Sequence, residues 1–114
     1  MKPIINKSDL IAHKRIFQKV AKPRRGKGND TYVTLTVSEK FTVTGPGLSQ
    51  AMECKVVAWG RTSVPYYIWK RLMETLRFTS ENEVTIVAEE GTIEIGKLSI
   101  RDPKIQAIHI SAPG

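Results

Sequence analysis

The stretch Gly60–Arg101, GRTSVPYYIWKRLMETLRFTSENEVTIVAEEGTIEIGKLSIR, is the most regular part of the chain and decides its fold class. A short extended lead, Thr62-Ser63-Val64, runs into Pro65. Proline has a fixed φ and no N–H, so it suits the first turn of a helix, with Ser63 or Val64 at the cap. Ile68, Trp69, Leu72, Met73 and Leu76 then recur at spacings of three and four, which predicts an amphipathic helix over 65–78. Lys70, Glu74 and Arg77 fall on its opposite side, with Arg71 nearby. Val84, Ile86 and Ala88 alternate with polar neighbours, Glu90-Gly91 marks a turn, and Thr92–Ile95 alternates again before a third short strand over 97–101. The unit is β-α-β-β-β.

The segment before it repeats this order. Ile4-Ile5 predicts a short strand, which Pro3 would confine to a sheet edge. Ser8 is a good N-cap, Asp9 favours the positive helix end, and Pro23 stops a helix over Asp9–Lys22. On its wheel Leu10, Ala12, Ile16, Phe17, Val20 and Ala21 form an apolar arc that also takes in His13. Arg15, Lys19 and Lys22 form a basic arc, with Lys14 and Gln18 at its edge. Strands follow over 31–37, 40–44 and 52–59; Leu48–Ala51 reads as irregular, and 105–110 could add one more strand. The chain thus reads as an α+β domain built from a doubled β-α-β-β-β unit, halves about 1–59 and 60–114. Two helices pack on antiparallel sheet. The repeat lies in element order and spacing, with no identity between copies.

Composition bounds the function. A chain of 114 residues, 40% hydrophobic and 25% charged, fits one globular domain with a real core. It holds no apolar run long enough to span a membrane and no signal-peptide pattern at its start, so the expectation is a cytoplasmic protein without a membrane partner. Cys54 is the single cysteine, which rules out a disulfide framework and a cysteine-based metal site. His13 and His109 fit core or boundary positions, and no H-E-x-x-H, C-x-x-C or D-x-D pattern is present. The expectation is a protein with no catalytic residues, metal or cofactor.

The net charge of +7 is unevenly placed. Residues 1–28 hold nine Lys/Arg against Asp9 alone, whereas the rest of the chain holds nine basic and ten acidic groups. Such asymmetry points to a polyanion. The loop Pro23–Asn29, PRRGKGN, offers Arg24, Arg25 and Lys27 either as extra phosphate contacts or merely as part of a mobile connection, and lacks the G-x-x-x-x-G-K-[ST] spacing of a P-loop.

The hairpin of Tyr32–Val37 with Phe41–Thr44, the run Gly60-Arg61-Thr62-Ser63-Val64-Pro65, the pair Leu72 and Leu76, and the alternation Val84-Thr85-Ile86 … Gly91-Thr92-Ile93-Glu94-Ile95 together resemble one domain of the DNA sliding clamp family, the processivity factors of replicative polymerases. The resemblance implies helices lining the inside of a ring, sheets outside, and basic side chains turned to a duplex without base-specific contacts. It implies an inner face of Arg15, Lys19 and Lys22 on the first helix and Lys70, Arg71 and Arg77 on the second, with Glu74 weakening the latter. Clamp rings take several such domains, and this chain reads as one. Expected partners are therefore duplex DNA, further copies joined through sheet edges, and replication or repair proteins. The alternatives are a protein-interaction module that does not encircle DNA, and an unrelated α+β domain binding RNA through 14–27.

Overall fold

The structure is a computed structural model that describes residues 1–20 and 31–109. In chain order its elements are β1 (Lys2–Asn6), α1 (Lys7–Val20), β2 (Tyr32–Val37), β3 (Phe41–Gly45), β4 (Leu48–Met52), β5 (Lys55–Ala58), β6 (Gly60–Pro65), α2 (Tyr66–Glu74), a 3-10 turn (Thr75–Phe78), β7 (Glu83–Glu89), β8 (Thr92–Ile95), β9 (Leu98–Arg101) and β10 (Gln106–His109). They form two five-stranded sheets, ordered β5-β1-β7-β8-β9 and β10-β6-β2-β3-β4, with antiparallel neighbours throughout. The α+β class with two helices on antiparallel sheet is the one the sequence predicts.

The two halves exchange strands. One sheet takes β1 and β5 from the first half and β7, β8 and β9 from the second; the other takes β6 and β10 from the second half and β2, β3 and β4 from the first. Equivalent strands therefore occupy equivalent places. The hairpin register repeats as well: Gly45 pairs with Leu48 in β3–β4, and Ile95 pairs with Leu98 in β8–β9. The exchange follows from the short β1–α1 and β6–α2 junctions. Each helix leaves its strand at once; α2 packs on β6 and β2 of its own sheet, and α1 touches β1 of one sheet and β4 of the other. Lys7 N–H donates to Asn82 C=O at 2.8 Å, and Tyr66 N–H donates to Thr31 C=O at 2.9 Å. Each helix start is thus pinned to the entry of the other half's central hairpin.

Period-two patterning builds the core. Val33, Leu35 and Val37 of β2, Phe41 and Val43 of β3, Val84, Ile86 and Ala88 of β7, and Ile93 and Ile95 of β8 all point inward and are buried. They meet Ile68, Trp69, Leu72, Met73 and Leu76 from α2 and its 3-10 extension, the apolar stripe predicted there. Trp69 is the largest fully buried side chain and packs tilted against Phe41, ring centroids 6.2 Å apart.

Several boundaries differ from expectation. The strand predicted over 52–59 is two strands in different sheets. Met52 ends β4, paired with Phe41, and the chain crosses at Glu53-Cys54 before Lys55 pairs with Ile4. Burial alternates straight through that crossing, so periodicity conceals the break. The irregular stretch over 48–51 is most of β4, joined to β3 through the two-residue turn Pro46-Gly47. Hence each half has four strands after its first. β1 is an interior strand, between β5 and β7; its register slips between Lys2 and Pro3, and that bulge absorbs the missing proline N–H. Pro65 is the N-cap of α2, with φ −56° and ψ 143°, in place of Ser63 or Val64, and the last turn tightens to 3-10. α1 starts at Lys7, so Ser8 lies inside it. Its predicted continuation to Lys22 falls outside the described residues.

Two glycines answer to geometry. Gly91 takes φ +76° in the β7–β8 turn, and a Cβ on Gly60 would lie 3.0 Å from Ile108 O and 3.1 Å from Met1 Cβ, where β6, β10 and the chain start converge. Thr62, on β6, is fully buried, and its Oγ1 has no hydrogen-bond partner among the described residues. A buried hydroxyl without a partner costs about 1–3 kcal/mol. Thr62→Val keeps the shape and removes the unmet group, so it is expected to raise the urea midpoint, with a gain of about 1 kcal/mol. A lower midpoint would show that the hydroxyl is satisfied in solution.

Candidate nucleic-acid interface

The two helices lie side by side against the sheets, α1 touching β1, β4, α2 and the 3-10 turn, and α2 touching β2 and β6. α1 buries only Leu10, His13 and Phe17, one narrow stripe at spacings of three and four. The wider apolar arc predicted for it is corrected by exposure: Ala12, Ile16 and Val20 face outward, Ile16 at 40% and Val20 at 48%. The reason is that α2 and β4 cover α1 along one seam, and His13 occupies the centre of that seam.

His13 is fully buried and both ring nitrogens are engaged. Nδ1 lies 2.9 Å from Gln50 Oε1 of β4, and Trp69 Nε1–H donates to Nε2 at 3.2 Å. An indole N–H can only donate, so Nε2 is bare and Nδ1 carries the proton that Gln50 accepts. Phe17 and Trp69 flank the ring at centroid distances of 5.7 and 5.9 Å. Burial lowers the His13 pKa and the Gln50 bond partly restores it. The neutral ring is the folded form, so the stability it contributes is complete above the ordinary value of 6.5 and is lost as pH falls through the lowered folded value.

This packing turns the cations outward. Arg15 and Lys19 of α1 and Lys70 and Arg71 of α2 are exposed, opposite the buried stripes. Arg77 is exposed in the 3-10 turn, its guanidinium 4.6 Å from the centroid of the Phe78 ring. Lys14 is half-buried. The structure therefore brings Lys14, Arg15, Lys19, Lys70, Arg71 and Arg77 onto one pair of adjacent helices. Lys22, Arg24, Arg25 and Lys27 lie outside the described residues. Lys7, not among the predicted site residues, is turned inward by a hydrogen bond from its ammonium to Thr79 C=O.

Charge segregates by layer. Residues 7–20 and 66–78 carry seven cations against Asp9 and Glu74, while the strands and their described connections carry seven cations against eight carboxylates. The sequence places the excess in the first quarter of the chain; the fold adds Lys70, Arg71 and Arg77 to the same layer. The two ion pairs among the described residues, Lys40–Glu53 at 3.3 Å and Lys55–Glu83 at 3.0 Å, belong to the strand layer and are exposed. They leave the helix cations unneutralised.

Tyr67 falls on the polar side of α2, where helical period would leave it exposed. It is, at 43%, and its hydroxyl donates to Asp102 Oδ2 at 2.8 Å, tying the outer face of α2 to the β9–β10 connection. That bond, first, raises the Tyr67 pKa. Asp102 also accepts from Lys104 N–H at 2.8 Å, and that contact does most to lower its own pKa. Phe78, 76% exposed, was not singled out by sequence. It follows Leu76 without periodicity because the 3-10 turn breaks the helical spacing. Among the described residues no three His, Cys, Asp or Glu side chains gather to hold a metal ion. Burial pushes the Cys54 thiol pKa up, away from a reactive thiolate.

The sequence matches no protein-family model and no curated protein. Solved structures resemble it closely in fold. The Helicobacter pylori beta clamp bound to a DNA ligase peptide superposes at a TM-score of 0.72 with 16% identity, over 95% of this chain and 31% of that one. Caulobacter crescentus pol III beta gives 0.66 and 14%, over 100% and 32%. The DNA polymerase III subunit beta of Pseudomonas aeruginosa gives 0.65 and 18%, over 95% and 30%. The fold is thus that of a sliding-clamp domain, and this chain spans about three-tenths of the length of each of these proteins.

Proposed function

We propose that this chain is a sliding-clamp-like domain whose helix layer rests against the phosphate backbone of duplex DNA without reading bases. The observation that carries the reading is the segregation of charge: the two adjacent helices are strongly basic, and the strand layer is near neutral. Lys and Arg on a rigid face neutralise phosphates and release counterions, which gives affinity without sequence information. The half-buried Lys14 lends reach along the same face, and Lys22, Arg24, Arg25 and Lys27 belong to the reading as further phosphate contacts from the connection after α1.

The test is duplex binding across a salt series. If about four phosphates are neutralised, log K against log salt falls with a slope near about −3.6. A flat line, or no binding at low salt, would remove DNA from the reading. Preference for single-stranded RNA over duplex would replace it with the RNA-binding alternative.

A second reading, a protein-interaction module, is favoured by the sheet edges. β5, β9, β4 and β10 each end a sheet, and an edge strand offers unpaired N–H and C=O groups to another strand. A second copy is one candidate for such a strand. Replication and repair proteins are another, since the Helicobacter pylori structure is of a clamp with a DNA ligase peptide. Absolute mass in solution, with and without duplex, separates assembly of copies from a solitary domain.

A further inference from the structure

We propose that His13 is a proton-operated clasp between the two basic helices, holding Trp69 of α2 only while its ring is neutral, with Gln50 of β4 fixing the tautomer protonated at Nδ1. The geometry admits one satisfied state. Trp69 presents an N–H to Nε2 at 3.2 Å and can present nothing else, while Gln50 Oε1 accepts from Nδ1 at 2.9 Å. A second proton on the ring would place N–H against N–H, and the Trp69 bond must open.

The surroundings give the added charge no refuge. The ring is fully buried, with Phe17 and Trp69 against it. The elements packed on α1 are β1, β4, α2 and the 3-10 turn. Their charged residues, Lys2, Lys70, Arg71, Glu74 and Arg77, are all exposed, and β4 carries none. On α1 itself Asp9 and Lys14 flank the ring's turn of helix; burial lowers its pKa and the Gln50 bond opposes that. Protonation therefore competes directly with the contact that spaces the two helices, and the spacing of Arg15 and Lys19 from Lys70 and Arg71 follows it. The clasp is a property of the helix pair and is measured without DNA, so its failure is distinct from failure of the DNA reading.

The experiment follows the imidazole nitrogens and indole N–H groups of the full ¹⁵N-labelled chain by NMR from pH 8 to 4, with far-UV circular dichroism in parallel. Expected are a bare Nε2 and protonated Nδ1 at neutral pH, and a Trp69 indole N–H that exchanges more slowly than that of half-buried Trp59. Ring protonation is expected below pH 6.5, with loss of Trp69 protection in the same step and helix content retained. In Gln50→Glu, a half-buried site that accepts a carboxylate, the step moves up by about one pH unit because the new charge favours imidazolium. The clasp is overturned by the opposite tautomer, by ring protonation that leaves Trp69 unmoved, by helices that melt in the same step, or by an unshifted step in Gln50→Glu.

Discussion

Combining Arg15→Glu, Lys19→Glu, Lys70→Glu and Arg71→Glu is expected to lower duplex affinity at least ~100-fold at low salt and to flatten the salt dependence. Four phosphate contacts at about 0.9 counterion each account for a slope near about −3.6, and reversal replaces each contact with repulsion. All four side chains are exposed and opposite the buried stripes, so the core is untouched. The structural cost is confined to helix ends. Lys19 and Arg71 sit in last turns, where an acid opposes the helix dipole by about 0.3–1 kcal/mol each. A thermal melt run beside the binding assay separates that loss from lost binding. As a control, Lys40, Lys55, Lys97 and Arg101, cations of the strand layer, are reversed together; binding is expected to survive. If the strand-layer variant loses binding and the helix variant keeps it, the interface lies on the wrong face.

A chain cut to residues 1–59 is expected not to fold, although it contains a complete β-α-β-β-β-β order. β1 and β5 would lose β7, and β2 would lose β6, so the two sheets would be reduced to a strand pair and a three-stranded remnant. Phe17 would lose its stacking on Tyr66 at 5.2 Å, and His13 would lose Trp69. A remnant hairpin with no covered face is marginal in water. Circular dichroism of 1–59 and of 60–114 separately should show no cooperative transition, and mixing the two should restore one. A cooperative melt of 1–59 alone would mean that the strand exchange is dispensable.

The second half of the fold was legible because its signals are local. Val84, Ile86 and Ala88, Ile93 and Ile95, and the stripe Ile68–Leu76 each declare a face within a few residues, and all are buried as their period implies. The first helix was legible only in part. Its wheel groups Ala12, Ile16 and Val20 with Leu10 and Phe17, but a wheel cannot say how wide a strip its neighbours cover. His13 is a core residue because Gln50 and Trp69, 37 and 56 positions away, satisfy its two nitrogens. No window of sequence contains that triad. The break at Glu53-Cys54 was hidden for a related reason: alternation continues unchanged when a strand leaves one sheet and enters another.

The candidate interface divides in the same way. The charge of Arg15 and Lys19 and their place opposite an apolar stripe follow from helical period. That Lys70, Arg71 and Arg77 join them follows from packing α1 on α2, which the doubled order suggests and only the contacts decide.

By itself, the sequence determined the element types, the doubled order and a basic excess, because periodicity, turn residues and charge are properties of neighbours along the chain. The tertiary structure alone decided that the halves exchange strands, that Pro3 lies in an interior strand, that Ile16 and Val20 of the predicted apolar arc stay exposed while Gln50 and Trp69 satisfy the buried His13, and which contacts set α1 beside α2. Each of these depends on which distant segment satisfies a hydrogen bond or covers a face, and that choice is made only when the whole chain is packed.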